Sequence, residues 1–165
     1  MTQENNKVNT VGKDAFEVDR AYTAGFLDAD GSIMATIERH SEKRFGFRIR
    51  VAVKVTQKEE HTLEWFLKRY KIGSIRNNRT TYDWLVRDQG DVLHFLQAIA
   101  PYVKSKRKQL QYALQVLEMN INSQEDLVEA ARLADALSRF NVRSKNRRKN
   151  YVAMIEEAFS RNDSV

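Results

Sequence analysis

Two carboxylates two residues apart, Asp28 and Asp30, close the stretch AYTAGFLDADGSI, Ala21 to Ile33. The run before them has small residues and no proline and reads as a helix from about Asp14 to Ala29. The acids therefore fall at its C-terminal end, where exposed carbonyls and the macrodipole favour cations. Local stability does not account for Asp30. A divalent cation held by the Asp30 carboxylate and the Ala29 main-chain carbonyl would reverse the local field. Hard oxygen donors suit Mg²⁺, with Mn²⁺ as the substitute. For Asp28 a carboxylate bonded to backbone amides is the simpler reading. Ala21, Gly25 and Ala29 lie four apart, on one side of the helix. An interior glycine costs about 1 kcal/mol against alanine. Close approach of another backbone offsets that cost, either within the domain or from the same helix of a second copy.

The elements that must position these residues can be read from pattern. Ser32 to His40 alternates, with Ile33, Ala35 and Ile37 on one face, and predicts a strand. SEKRFG turns the chain. Phe47 to Gln57 alternates again, Phe47, Ile49, Val51, Val53 and Val55 against Arg48, Arg50, Ala52, Lys54 and Thr56. Glu60–Tyr70 predicts a helix ended by Gly73, and SIRNN with TYDWLVR predicts a hairpin turning near Arg79. Further helices are expected over Asp91–Ile99 (stopped by Pro101), Lys106–Met119, from a Ser123 cap to Phe140, and over Tyr151–Phe159. The order αββαββα followed by more helices predicts an α+β fold: a four-stranded antiparallel sheet with helices on one face. Arg48, Arg50 and Lys54 would then leave the other face bare and positive, and a β-ribbon of that kind fits the DNA major groove.

Bulk properties agree. The 165 residues carry 28 Lys and Arg against 22 Asp and Glu, a net charge of +6, which suggests a polyanionic partner. The hydrophobic content of 42% argues for a folded domain rather than a basic tail. There is no cysteine, so disulfides, thiolate metal sites and cysteine nucleophiles are excluded. No apolar run approaches a membrane span, and the polar first dozen residues have neither a signal-peptide core nor transit-peptide arginines. The expectation is a soluble chain without a membrane partner: a flexible tail over 1–13, one domain over 14–160 and a short tail over 161–165.

Two motif families use similar letters. An EF-hand loop with Gly31 as its turn glycine would begin at Phe26 and close at Ile37, and neither is a ligand. A haloacid-dehalogenase phosphatase would use Asp28 as nucleophile and Asp30 as acid/base. That motif follows a buried strand, and AYTAGF is a poor one. The phosphatase is the weaker alternative.

At TAGFLDADG, Thr23 to Gly31, the chain resembles the motif of the LAGLIDADG homing endonucleases, with Thr23 for the first leucine and Phe26–Leu27 for the leucine–isoleucine pair. VTQK (Val55–Lys58) resembles that family's loop with an active-site glutamine, and PYVKSKRKQ (Pro101–Gln109) its loop with an active-site lysine. The order and span match the single-motif, homodimeric branch. The resemblance implies a saddle-shaped sheet on double-stranded DNA and paired motif helices, with Ala21, Gly25, Asp28 and Ala29 at the dimer interface. It implies Asp30, Gln57 and Lys106 as catalytic residues, and Mg²⁺ or Mn²⁺ on Asp30 and the Ala29 carbonyl. Gln57 would orient water and Lys106 would meet charge building on the phosphate. His61 and His94 are assigned no such role.

DNA contacts are expected from outward strand positions Thr36, Glu38, His40, Arg48, Arg50, Lys54, Arg76, Asn78, Asp83 and Arg87, and from the basic run containing Lys145, Arg147 and Arg148. Two subunits imply a near-palindromic target of about two helical turns, ~20 bp. The activity implied is a metal-dependent, staggered double-strand break, in the cytoplasm or in an organelle, wherever a host intron's genome lies. The rivals within the same fold are an RNA-splicing maturase, with intron RNA as partner, and a DNA-binding protein that does not cut.

Overall fold

Alternation in the two long strands becomes burial in the computed structural model, which describes residues 5–141 and 149–162. Strand β1 (Gly31–Arg39) buries Ile33, Ala35 and Ile37, and β2 (Phe47–Gln57) buries Phe47, Val51, Val53 and Val55. They pair antiparallel, Ile33 opposite Val53 and Glu38 opposite Arg48. A hairpin of β3 (Ser74–Asn78) and β4 (Thr81–Val86) completes an antiparallel sheet of order β1-β2-β4-β3. The hairpin turns at Arg79, in the left-handed region at φ 59°.

Pairing of β4 with β2 covers only Val53–Gln57. Beyond it a side chain replaces a strand: Gln89 accepts from the Val51 amide at 2.8 Å and donates to the Val51 carbonyl at 2.9 Å. Both groups of an otherwise open edge residue are thereby satisfied.

Helices α1 (Asn5–Asp30), α2 (Glu60–Tyr70), α3 (Gln89–Ile99), α4 (Arg107–Glu118), α5 (Gln124–Asn141) and α6 (Tyr151–Asn162) cover the inner face, with a 3₁₀ turn at Ala100–Tyr102 before α4. The core joins inner strand residues to Ala24, Leu27, Leu63, Phe66, Phe95, Leu96, Leu110, Leu127 and Ile155. Trp84 is fully buried, and its indole N–H donates to the Ile72 carbonyl at 3.0 Å. Burying such a side chain contributes about 1.5–3 kcal/mol, provided that its polar atom finds a partner. Among the described residues no helix is long and apolar enough to cross a membrane.

The expected αββαββα order holds, and the strand spans hold to within a residue, β1 lying one residue earlier than expected; the helices show three differences. Helix α1 starts at Asn5 rather than near Asp14, so helical backbone runs into the segment expected as a tail. The sole proline is Pro101, and Gly12 alone does not stop a helix. Lys71, not Gly73, ends α2: it sits at φ 55° and its N–H bonds the Leu67 carbonyl. Gly73 serves the next turn, at φ +75°, where a Cβ would lie 2.7 Å from the Leu85 carbonyl. Lastly, α3 begins two residues early because the Asp88 side chain caps it, accepting from the Asp91 amide.

Long-range polar bonds seat the C-terminal helices. Asp135 of α5, buried, accepts from the amides of Tyr151 and Val152 at 2.7 and 3.1 Å, capping α6. Asn141 at the end of α5 donates to the Ile33 carbonyl at 2.6 Å.

Candidate active site at the end of the first helix

The helix-to-strand junction at Asp30–Gly31 is tight. A Cβ on Gly31 would lie 2.9 Å from both the Cα and the carbonyl of Leu27, so only glycine lets β1 leave so close beneath the last turn of α1. Asp30, the last residue of α1, is left exposed. Gln57, the last residue of β2, comes beside it because Gly31 pairs with Val55, and its Nε2 donates to Asp30 Oδ2 at 2.9 Å. That bond uses the amide N–H and leaves the Gln57 carbonyl oxygen free to accept.

Lys106, just before α4, reaches the same helix end. Its Nζ donates to the Asp28 main-chain carbonyl at 2.5 Å. The Asp28 carboxylate accepts in turn from the amides of Lys104 (2.7 Å), Ser105 (3.1 Å) and Lys106 (2.9 Å). Partial burial pushes the Asp28 pKa up. The amides of Lys104, Lys106 and Ser105, with the Lys106 charge, outweigh that and hold it below the ordinary value. The acid that suits the C-terminus of α1 poorly thus sits at the N-terminus of α4, where it is favoured. The Asp28 carboxylate is turned onto its own chain and bonded to backbone amides, as the simpler reading of its side chain expects.

The donors at this corner fit a hard divalent ion. One exposed carboxylate, Asp30, stands next to the last carbonyls of a helix, which lack intrahelical partners. Among the described residues no three acidic or histidine side chains cluster as a metal site. A full coordination sphere would need oxygens from outside this chain. His61 and His94 are exposed helix residues.

The pairing register assigns the outer face of the sheet. Thr36 lies opposite Arg50, Glu38 opposite Arg48, Thr56 opposite Asp83, and Asp83 opposite Arg76. The expected outward positions within the strands share this face, while His40 and Arg87 lie just past the ends of β1 and β4, but the cations on β2 are not bare. Arg48 bonds Glu38, Arg50 lies 3.7 Å from the same carboxylate, and Lys54 lies 3.9 Å from Asp83. The Arg48 hydrogen bond, against slight desolvation, holds the Glu38 pKa below its ordinary value. Asp83 also accepts from Thr56 at 2.5 Å and from Asn78 at 3.0 Å. Exposed Arg76 and Arg87 make no ion pair among the described residues. The same alternation brings Ser32, Met34 and Thr81 to this face, none of them among the expected DNA contacts. Lys145, Arg147 and Arg148 lie outside the described residues.

One side of α1 is uncovered. Ala21, Gly25 and Ala29 are exposed, together with Val18 (65%) and Tyr22 (50%), and a Cβ on Gly25 would meet nothing within 4 Å. Tyr22 leads inward through Trp65 and Phe66 to Trp84 by ring contacts of 5.0–5.3 Å.

Residues 23–117 match the LAGLIDADG endonuclease family. The chain is similar to the DNA endonuclease I-CreI of Chlamydomonas reinhardtii, 30% identical over 108 residues, 63% of this chain and 65% of that enzyme's length. It is 31% identical over 123 residues to the DNA endonuclease I-CvuI of Chlorella vulgaris, 70% of this chain and 74% of that one. A crystal structure of the homing endonuclease I-CvuI in complex with the I-CreI target, in the presence of Mg, superposes with a TM-score of 0.79 at 26% identity. The superposition covers 89% of this chain and 96% of that one.

Proposed function

Because this chain belongs to the LAGLIDADG endonuclease family, we propose that it is a homing endonuclease. As a homodimer it binds a long, near-palindromic DNA target and makes a staggered double-strand break that depends on a divalent cation. The observation that carries this reading is the Gln57–Asp30 hydrogen bond, made at the helix end that Lys106 also reaches. Three residues from three distant segments converge where helix carbonyls are exposed.

Asp30 and the Ala29 carbonyl are the residues that would hold Mg²⁺ or Mn²⁺, and the ion would supply charge against a phosphate and polarise water. Gln57 fixes the Asp30 carboxylate through its N–H and offers its free carbonyl oxygen to a water. The Lys106 ammonium, already at the helix end, faces charge developing on the phosphate. One Asp30 serves one strand, so a double-strand break asks for two chains. The uncovered stripe of Val18, Ala21, Tyr22, Gly25 and Ala29 supports pairing through α1. On the sheet, Arg76 and Arg87 have donors to spare for guanine edges or phosphates, whereas Glu38 with Arg48 and Asp83 with Asn78 hold each other in fixed orientations.

The test is incubation with DNA carrying a candidate site, the intron-less allele of the host gene, with Mg²⁺ or with chelator. Cleavage to short 3′ overhangs in Mg²⁺ alone, by a species eluting at twice the chain mass, is expected. A shifted band that stays uncut in Mg²⁺ would reject the nuclease reading in favour of a binder or an RNA-splicing protein.

A further inference from the structure

We propose that Asp28 is a positioning residue for cleavage: its carboxylate grips the loop before α4 so that the Lys106 ammonium is delivered to the end of α1. This rests on the reading of Lys106 as the residue that serves the phosphate.

The two groups clasp each other. The Asp28 side chain takes the three successive amides of Lys104, Ser105 and Lys106, and the Lys106 side chain returns to the Asp28 carbonyl. The Asp28 carboxylate takes amides of the loop just before α4, and the Lys106 ammonium takes one of the orphan carbonyls at the end of α1. The residue numbers are 76 to 78 apart, so nothing local in the chain fixes this distance. A lysine side chain has four rotatable bonds and would lose much of its placement without a fixed base. Its backbone is held by Asp28 at one end and its ammonium at the other. The carbonyl it bonds precedes Ala29 and Asp30, so the clasp sets the lysine against the residues proposed to hold the cation. Asparagine in place of Asp28 keeps one acceptor oxygen and turns the other into a donor, which cannot accept from the amides.

The experiment is a double-mutant cycle on the full-length dimer, reading single-turnover cleavage and, separately, DNA affinity. D28N is expected to slow cleavage about 10- to 100-fold, the scale on which small misplacements of a reacting group act, with affinity unchanged within about twofold. On a K106M background D28N is expected to have no further effect on the rate, because the two act as one unit. Equal slowing by D28N with and without Lys106 would overturn the proposal. If D28N does not yield a folded dimer, D28E replaces it in the same cycle. It keeps the charge and acceptors but moves the loop, so slowed cleavage dependent on Lys106 supports the proposal, and a wild-type rate overturns it. Failure of the underlying reading looks different: K106M by itself would then cut as fast as the wild type.

Discussion

Two carboxylates in this molecule do the same thing in different surroundings. Asp28 at the end of α1 takes the amides ahead of α4, and Asp135 within α5 takes the first amides of α6. Asp135 caps a helix that is not its own, and Asp28 holds the loop that leads into one. Asp135 is 6% exposed and lies beside buried Tyr151, so its clasp welds two helices into the core. Asp28 is only partly buried, is answered by a cation and stands two residues from the exposed Asp30. Capping chemistry that joins elements in one region aims a side chain in the other. The difference predicts where each residue registers: substitutions at the α1 end in rate, those at the α5–α6 junction in stability.

The largest effect expected is at Asp30. D30N should lower cleavage about 10³-fold or more, the scale of several kcal/mol of charge stabilisation lost, while a band-shift titration shows DNA affinity retained. Loss of binding and cutting together would make Asp30 a structural residue like Asp135 and would erase the contrast. Next is D135A. It leaves a buried amide, that of Tyr151, and a partly buried one, that of Val152, without partners, a cost of about 1–3 kcal/mol, read as a fall in melting temperature of about 2–4 °C per kcal/mol. Cleavage per folded dimer at 25 °C should stay within about twofold of wild type. A rate loss at unchanged stability would reverse the assignment of the two clasps.

A third test bears on the α1 region from outside. In this chain a Cβ on Gly25 meets nothing within 4 Å, so G25L should leave the melting of the isolated fold almost unchanged and convert dimer to monomer in sedimentation. Unfolding without dissociation would mean the stripe is packed within the chain. The smallest effect belongs to a third carboxylate, Asp126. It accepts from the amides of Asn122 and Ser123, while the Ser123 hydroxyl accepts from the Asp126 amide, a reciprocal cap on α5. The amides of Asn122 and Ser123, then the Ser123 side chain, hold its pKa below the ordinary 3.8, against some desolvation. The folded value is the lower one. The cap is therefore whole above pH 3.8 and is lost as pH falls through the folded pKa. Amide exchange at Asn122 and Ser123 should quicken below that pH, with little change in global melting.

Much of this was legible in order of residues. Strand β2 was readable end to end, because two faces that differ in polarity impose a period of two. The Ser123 cap follows from a neighbour three residues away. Asp30, Gln57 and Lys106 could be singled out, the last two only through family resemblance, since a glutamine at a strand end or a lysine before a helix carries no chemical mark alone. That the cations on β2 are not bare is invisible in the sequence because their partners lie on other strands: Glu38 of β1 faces Arg48, and Asp83 of β4 approaches Lys54. The role of Gln89 as a substitute strand and the clasp at Asp135 carried no local signal at all.

What the sequence by itself determined is whatever depends on contacts within a few residues: periodicity, caps, turns, and hence the order of elements and the face of each that is apolar. Tertiary structure alone decided which helix end each acid would serve. Asp28 meets residues 76 to 78 positions away, Asn141 meets Ile33 at 108, and Gln89 meets Val51 at 38. A hydrogen-bonding group satisfies itself with any suitable partner that packing brings near, so its type announces the need, and only the assembled core names the partner.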